Sequence, residues 1–199
     1  MSTRAAVPVD DSRQAGVLSP FSVLALSGSL RGASLNTAML VMASRYAPSE
    51  LVVKIFAGMG GLPLFNPDLE SREPPQVAQL RTGIADADAL LIASPEYAHG
   101  ISGVLKNALD WMVASGVLMG KPVVLWNASP RASHAIAALR ETLTVMAAQL
   151  IGEAGLELLI QPDGLCKPLT NSDEAAMRRS LRAIMTELRK ATCAVLAER

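Results

Sequence analysis

Cysteine and histidine are scarce in this chain. Among 199 residues there are two cysteines, Cys166 and Cys193, and neither belongs to a Cys-x-x-Cys pair. This excludes a disulfide framework and a cysteine-based zinc site, and we expect two reduced thiols. The two histidines, His99 and His134, are predicted to lie on loops that approach each other. No cysteine accompanies them at metal-ligand spacing, so no metal centre is predicted.

Net charge and long apolar runs are absent as well. Eighteen Lys and Arg residues balance eighteen Asp and Glu residues. The composition therefore favours neither nucleic acid nor a membrane surface as partner, and we expect a small-molecule partner. No apolar run approaches the roughly 18 residues of a membrane span. Charged residues, Arg4 and Asp10 among them, stand where a secretory signal would be apolar. We expect a cytoplasmic protein.

What the chain does contain is an alternation of short apolar runs with longer helical patterns from Phe21 onward. This alternation is typical of βαβ units and predicts a parallel sheet covered by helices on both faces. Residues 1–19 lack any period and are expected to form a flexible leader before a single domain over 20–199. Strands are predicted at 21–27, 51–56, 88–94, 122–127 and 156–160, and helices at 35–47, 74–86, after Gly103, 132–153 and 173–197.

Five such units predict a flavodoxin-like three-layer sandwich, an α/β fold with a five-stranded parallel sheet of order 2-1-3-4-5. In open sheets of this kind, ligands bind beyond the carboxyl ends of the strands, where the strand order reverses. We therefore expect the loops at 27–34, 94–103 and 127–134 to converge on a ligand.

The first of these loops lies in the stretch LALSGSLRGASLN, over residues 24–36. Gly28 and Gly32 permit close approach to a ligand and dihedrals that a Cβ would forbid. The guanidinium of Arg31 supplies charged hydrogen-bond donors. Ser34 stands at the expected N-cap of a helix, whose positive end favours an anion. The glycine spacing matches neither GxGxxG nor a P-loop, so a single phosphate, as in FMN, is favoured. Plain turn chemistry is the alternative.

A second segment, SPEYAHGISGVLKNALDW over residues 94–111, follows the third apolar strand. Pro95 restricts its backbone, while Gly100 and Gly103 leave N–H groups accessible to the polar edge of a flat ring. Tyr97 is expected either to stack on such a ring or to pack half-buried. The apolar residues that follow Gly103 at helical spacing are predicted to be core.

Together the two segments resemble the NADPH-dependent FMN reductase family, whose members pair a GSLRxxSxN phosphate loop with a PEYNxxxPGxLKNAIDW flavin loop. The resemblance spans residue 21 to about 190. It implies FMN and NADPH as cofactors. The stretch LPLFNPDLE, residues 62–70, is similar to a segment that approaches the neighbouring subunit in relatives, which implies a homodimer or homotetramer.

The resemblance also implies the site residues. The FMN phosphate would be bound by Ser27, Ser29, Arg31, Ser34, Leu35 and Asn36. The ring would be held by Pro95, Glu96, Tyr97, Ala98, His99, Gly100, Ser129 and Arg131, with Lys106, Asn107, Asp110 and Trp111 in support. A carboxylate beside the ring would oppose its reduction, so we expect the Glu96 side chain to point away from it. Arg131 has two interpretations, a contact to the nicotinamide cofactor's phosphate or a surface ion pair.

Two positions depart from the family pattern: Ala98 stands where Asn is usual, and Ser102 where Pro is usual. No catalytic side chain is predicted, because the chain has neither a GxSxG elbow nor an HExxH pair, and a flavin would carry the chemistry. The leading hypothesis is an FMN-dependent NAD(P)H oxidoreductase that reduces flavin, quinone or another small acceptor. A non-catalytic electron carrier of flavodoxin type is the second, although such carriers are commonly acidic. A regulatory mononucleotide-binding module, favoured by Ala98, is the third.

Overall fold

The structure, a computed structural model, describes residues 20–128 and 132–151. Towards the C-terminus it describes residues 175, 178–179, 181–183, 185–186 and 189–190, all of them helical. The predicted leader at 1–19 and the predicted strand at 156–160 lie outside the described residues. So do Ser129 and Arg131.

Strands and helices alternate along the described chain. The strands are β1 (Phe21–Ser27), β2 (Leu51–Ile55), β3 (Ala89–Ala93), β4 (Glu96–Tyr97), β5 (Gly100–Ile101), β6 (Pro122–Trp126) and β7 (Gln149–Leu150). The helices are α1 (Leu35–Tyr46), α2 (Pro75–Asp86), α3 (Gly103–Val113) and α4 (Ser133–Val145), with short 3₁₀ turns at Met59–Gly61 and Pro67–Arg72.

The main sheet has five parallel strands in the order β2-β1-β3-β6-β7. Counted along this sheet alone, the order is 2-1-3-4-5, so the predicted flavodoxin-like fold is confirmed. The central strand β3 is buried at every position, which explains why its sequence is a continuous apolar run. Strand order reverses between β1 and β3, and this places a topological switch point above their carboxyl ends.

Helices cover both faces of the sheet, and strand periodicity divides the core accordingly. Along β1, Val23 and Ala25 pack with α1, whereas Leu24 and Leu26 pack with the helices of the other face. The first face also holds Leu181 from the C-terminal helical residues. The second face holds apolar residues of α2, α3 and α4. Five of the six predicted core residues of α3 are buried there, namely Leu105, Ala108, Leu109, Trp111 and Met112, and the sixth, Val104, is partly buried against them.

The fifth strand corrects the sequence prediction. A helix was expected over 132–153, but α4 ends at Val145 and β7 pairs with β6 at Gln149 and Leu150. The helix ends because the N–H of Ala147 bonds to the carbonyl of Thr144 and the N–H of Ala148 to that of Leu143. This is a Schellman arrangement with Ala147 at φ 56°, a conformation usually given to glycine. Without a glycine there, the sequence carried no stop signal.

Among the described residues, no helix combines the length and the apolar character that crossing a membrane would require.

Candidate functional site

Three loops meet at the carboxyl edge of the sheet, as the switch-point rule predicts. They follow β1, β3 and β6, and they enclose a cleft of about 370 Å³. Eight of the fourteen predicted site residues line the cleft: Ser29, Arg31, Ser34, Leu35, Asn36, Pro95, Glu96 and Tyr97. Sequence reasoning missed four others that also line it: Ala33, Asn127, Ala128 and Ala132. Three of them lie within the loop predicted at 127–134, so the position was predicted although the individual residues were not.

The loop after β1 is built around the N-terminus of α1. Ser34 is the N-cap, and its Oγ accepts the N–H of Thr37 at 3.2 Å. Ser29 Oγ accepts the N–H of Arg31 at 3.3 Å. The hydroxyl of Ser27 is buried behind the loop, 2.7 Å from the hydroxyl of Thr37. The first turn of a helix leaves N–H groups without intrahelical partners, so this wall of the cleft favours an anion.

Asn36, in the first turn of α1, carries an unpaired polar atom into this wall. Its side chain is 7% exposed, it lines the cleft, and its Oδ1 has no hydrogen-bond partner among the residues that the structure describes. A buried unpaired amide oxygen costs free energy unless a ligand or water satisfies it. A ligand with hydroxyl donors, such as the ribityl chain of FMN, fits this requirement.

The glycines of this loop act differently from the expectation. Neither Gly28 nor Gly32 adopts a positive φ. Gly28 is instead required by packing, since a Cβ there would lie 2.7 Å from Cβ of Ser94 and 2.9 Å from Oγ of Ser102. At Gly32 a Cβ would meet no atom within 4 Å, so that position tolerates a side chain.

The segment after β3, predicted as a loop, forms a small antiparallel hairpin. Strands β4 and β5 pair Glu96 with Ile101 and Tyr97 with Gly100. The two turn residues, Ala98 and His99, have φ values of 50° and 60°. A two-residue turn with positive φ at both positions normally carries Asn-Gly, so Ala98 and His99 are held in strained conformations. Tyr97 is 59% exposed at the mouth of the cleft.

The carboxylate of Glu96 is engaged by groups outside the cleft. Its Oε2 accepts the N–H of Ala135 at 2.9 Å, and its Oε1 lies 3.1 Å from Nδ1 of His99. The hydrogen bond from Ala135 lowers the pKa of Glu96, and this effect outweighs the raising effect of burial. Glu96 therefore remains ionised at neutral pH.

The two histidines meet, as expected from their loops. The rings of His99 and His134 are 4.3 Å apart, edge to face, and the His99 side chain is 76% exposed. The part of the chain that the structure describes contains no group of three His, Cys, Asp or Glu side chains arranged to hold a metal ion.

The residues expected to support the flavin loop lie on α3. Asn107 and Trp111 bond to the segment 63–65, Trp111 through Nε1 to the carbonyl of Pro63 at 2.8 Å. Lys106 and Asp110 form an ion pair of 2.6 Å on the exposed side of the helix. Ser102, in the position where the family usually has Pro, caps α3 by accepting the N–H of Leu105.

Comparison with known proteins agrees with this geometry. Residues 21–155 match the family model described as NADPH-dependent FMN reductase. An NAD(P)H-dependent FMN reductase of Pseudomonas aeruginosa is 42% identical over 110 residues, which are 54% of this chain and 59% of the relative. A 2-hydroxy-1,4-benzoquinone reductase of Burkholderia sp is 45% identical over 84 residues, 42% of this chain and 45% of the relative.

Among solved structures, the flavoenzyme NAD(P)H:(acceptor) oxidoreductase FerB of Paracoccus denitrificans superposes with a TM-score of 0.76 at 26% identity. The match covers 86% of this chain and 98% of FerB. The matches to the two sequence relatives span 59% and 45% of those proteins' lengths. Since the family model covers more than half of the chain, this protein belongs to the NADPH-dependent FMN reductase family.

Proposed function

We propose that the cleft binds FMN and that the protein passes reducing equivalents from NADPH through this flavin to a small acceptor such as a quinone. The observation that carries the proposal is Asn36, a buried residue in the lining of the cleft between the β1–α1 loop and the hairpin, whose Oδ1 has no hydrogen-bond partner among the described residues. When bound, the flavin supplies the redox chemistry, because it accepts and donates hydride at N5. The chain has only to bind, orient and shield it.

The phosphate of FMN is assigned to the wall formed by the β1–α1 loop. Arg31 supplies a bidentate charged donor and Ser29 a hydroxyl, and the backbone N–H groups at the start of α1, from Leu35 onward, add the helix dipole. Asn36 would accept from a ribityl hydroxyl. Ser27 positions this loop through its hydroxyl contact to Thr37.

The flavin ring is assigned to the wall formed by Pro95 to Gly100. Tyr97, exposed at the mouth of the cleft, provides an aromatic face or edge for the ring. Ala98 and His99 form the turn within this wall, and Ser129 and Arg131 complete the proposed contacts from the loop after β6. No side chain is assigned an acid, base or nucleophile role.

Quinones are the acceptor class that the relatives favour. Relatives from Burkholderia sp and Pseudomonas putida are named 2-hydroxy-1,4-benzoquinone reductase and quinone reductase. We further propose a cytoplasmic protein that binds neither nucleic acid nor membranes, with one domain over 20–199. It assembles as a homodimer or homotetramer, supported by Leu64, which is 83% exposed on the segment that resembles a subunit contact. Sedimentation of the wild type and of Leu64→Asp tests the assembly, since the variant should dissociate.

The experiment that tests the function is anaerobic spectroscopy. The purified protein is loaded with FMN, NADPH is added, and a quinone follows. Rapid bleaching by NADPH and recolouring by the quinone are expected. Flavin binding without bleaching would favour a non-catalytic electron carrier, and absence of binding would contradict both functions.

A matched set of variants localises the phosphate. Arg31→Gln should raise the Kd for FMN by roughly 10- to 100-fold, the loss expected for a charge-assisted hydrogen bond. Its Kd for riboflavin, which lacks the phosphate, should stay unchanged. Arg72→Gln, at an exposed arginine of the 3₁₀ turn Pro67–Arg72, is the control and should change neither value. Equal losses for FMN and riboflavin would contradict the assignment of Arg31 to the phosphate.

A further inference from the structure

Helix α4 receives its cap from a distant residue. Its own N-cap is Ala132, which has no side-chain oxygen to offer. The N–H of Ala135 in its first turn is instead satisfied by Oε2 of Glu96, which lies 39 positions earlier on β4. A carboxylate at this end of a helix also interacts favourably with the helix dipole.

The second oxygen of the same carboxylate reaches the strained turn. Oε1 of Glu96 lies 3.1 Å from Nδ1 of His99, and the His99 ring packs edge to face against His134 of α4. The Glu96 side chain is 13% exposed, and its bond to Ala135 is partly buried, whereas its contact with the exposed His99 is open to water. One carboxylate thus contacts the hairpin strand, its turn and the first turn of α4.

These contacts matter because the hairpin has few stabilising interactions of its own. Strands β4 and β5 have two residues each, and the turn between them has positive φ without glycine or asparagine. An isolated hairpin is marginal even with a favourable turn. Its position must therefore be fixed by contacts with the rest of the fold.

Glu96 and Ala132 both line the cleft, from the loops after β3 and β6 respectively. We infer that Glu96 is a positioning residue, whose carboxylate joins these two walls and holds the cleft in the shape that its ligand requires. Its effect on the ligand rests on the proposed FMN site. The joint, by which we mean the hydrogen bond from Ala135 of α4 to the Glu96 carboxylate of the hairpin, can be tested in the apoprotein.

The first measurement is amide hydrogen exchange of the apoprotein, followed at Ala135. Exchange should be slow in the wild type and at least about tenfold faster in Glu96→Ala, because the acceptor is gone. Glu96→Gln keeps an amide oxygen that accepts the same N–H and should restore slow exchange. Unchanged protection of Ala135 in Glu96→Ala would overturn the joint, whether or not the protein binds FMN.

The second measurement is the Kd for FMN by quenching of flavin fluorescence. Glu96→Ala should raise it roughly tenfold through misplacement of the walls, and Glu96→Gln should return it to within about threefold of the wild type. Asp88→Ala and Asp88→Asn are the matched controls. The Asp88 carboxylate accepts the N–H of Ser22 at 2.7 Å before the start of β3, remote from the cleft. These controls should leave the Kd unchanged.

The remaining outcomes overturn the inference. Equal losses in Glu96→Ala and Glu96→Gln would assign the effect to charge rather than to positioning. A wild-type Kd in Glu96→Ala, with fast exchange at Ala135, would show that the joint does not shape the cleft. A comparable loss in Asp88→Ala would show that general destabilisation is responsible. A wild type that binds no FMN would contradict the proposed function and leave the exchange result to decide the joint.

Discussion

Asn107 on α3 donates a hydrogen bond from Nδ2 to the carbonyl oxygen of Pro63 at 3.0 Å, across 44 positions of the chain. Its Oδ1 accepts the N–H of Phe65 at 2.8 Å, so one carboxamide forms hydrogen bonds with both ends of the three-residue segment 63–65. The ring of Phe65 packs edge-on against Trp111 at 5.1 Å. This arrangement fixes the segment that presents Leu64 to solvent.

Removing this carboxamide should destabilise the protein. Asn107→Ala leaves the N–H of Phe65 without its partner and the carbonyl of Pro63 with only the bond from Trp111, so we expect a loss of about 1–3 kcal/mol in the free energy of unfolding. Asn107→Asp keeps the acceptor for Phe65 but places an oxygen against the Pro63 carbonyl, so it should not restore stability. Urea denaturation measures both variants. Wild-type stability in Asn107→Asp would show that the bond to Pro63 contributes nothing.

The strained turn at Ala98 predicts a stabilising substitution. Glycine or asparagine tolerates φ near 50° better than alanine, so Ala98→Gly and Ala98→Asn should raise the free energy of unfolding by about 0.5–1 kcal/mol. Ala78→Gly in α2 is the control and should lower it by about the same amount, since its helical φ suits alanine. Thermal melts would contradict this view of the turn if Ala98→Gly were as damaging as Ala78→Gly.

The end of α4 predicts a second stabilising substitution. Ala147 occupies the left-handed position of the Schellman motif, with φ 56°. Ala147→Gly should therefore raise the midpoint of thermal unfolding, with a gain of roughly 0.5–1 kcal/mol. Ala147→Val, whose β-branched side chain suits this conformation poorly, should lower it. If the two variants have the same midpoint of thermal unfolding, the backbone at this position is not left-handed in solution.

Two glycines of the same loop should respond oppositely to alanine. Gly28→Ala forces a methyl group against Ser94 and Ser102, at a cost of about 1–3 kcal/mol. Gly32→Ala meets open space and restricts the unfolded chain, so it should be neutral or stabilising by up to about 1 kcal/mol. Chemical denaturation distinguishes them. Equal behaviour would contradict the close packing of Gly28 against Ser94.

Acid should remove the contribution of one defined ion pair. Arg81 donates to both carboxylate oxygens of Glu73 at 2.9 Å, and these hydrogen bonds lower the pKa of Glu73 below its usual 4.5. The folded state therefore binds this proton less readily, so the stabilisation is present above pH 4.5 and is lost as the pH falls through the lowered pKa. The melting temperature of the wild type should exceed that of Glu73→Gln at neutral pH and converge with it in acid. A difference that persists unchanged at acid pH would contradict an ionised pair.

The sequence predicted the central strands well because each is a continuous apolar run. Strands β1, β3 and β6 were predicted within a residue or so of their ends, and their order was predicted by assigning the five βα units to a flavodoxin-like sheet. It predicted the place of the cleft for the same reason, since loops at the carboxyl ends of neighbouring strands must meet. Neither inference required knowledge of a single long-range side-chain contact.

The features that the sequence did not predict have one physical origin. The hairpin around Ala98 and the helix end at Ala147 lack the glycine or asparagine that normally marks such turns. Strand β7 has two residues, too few for a periodic pattern, and is a strand only because Lys121 and Val123 offer their carbonyls to it. In each case the surrounding fold imposes a conformation that the local residues do not favour.

The sequence by itself thus determined the layers of the fold, the edge at which the cleft lies and the family, because apolar periodicity and loop composition are local properties. The tertiary structure decided which groups meet across that edge. The bond of Glu96 to α4, the packing of Gly28 on Ser94 and the unpaired oxygen of Asn36 each depend on segments brought together by the sheet. A hydrogen bond acts over about 3 Å, and only folding brings atoms 39 residues apart within that distance.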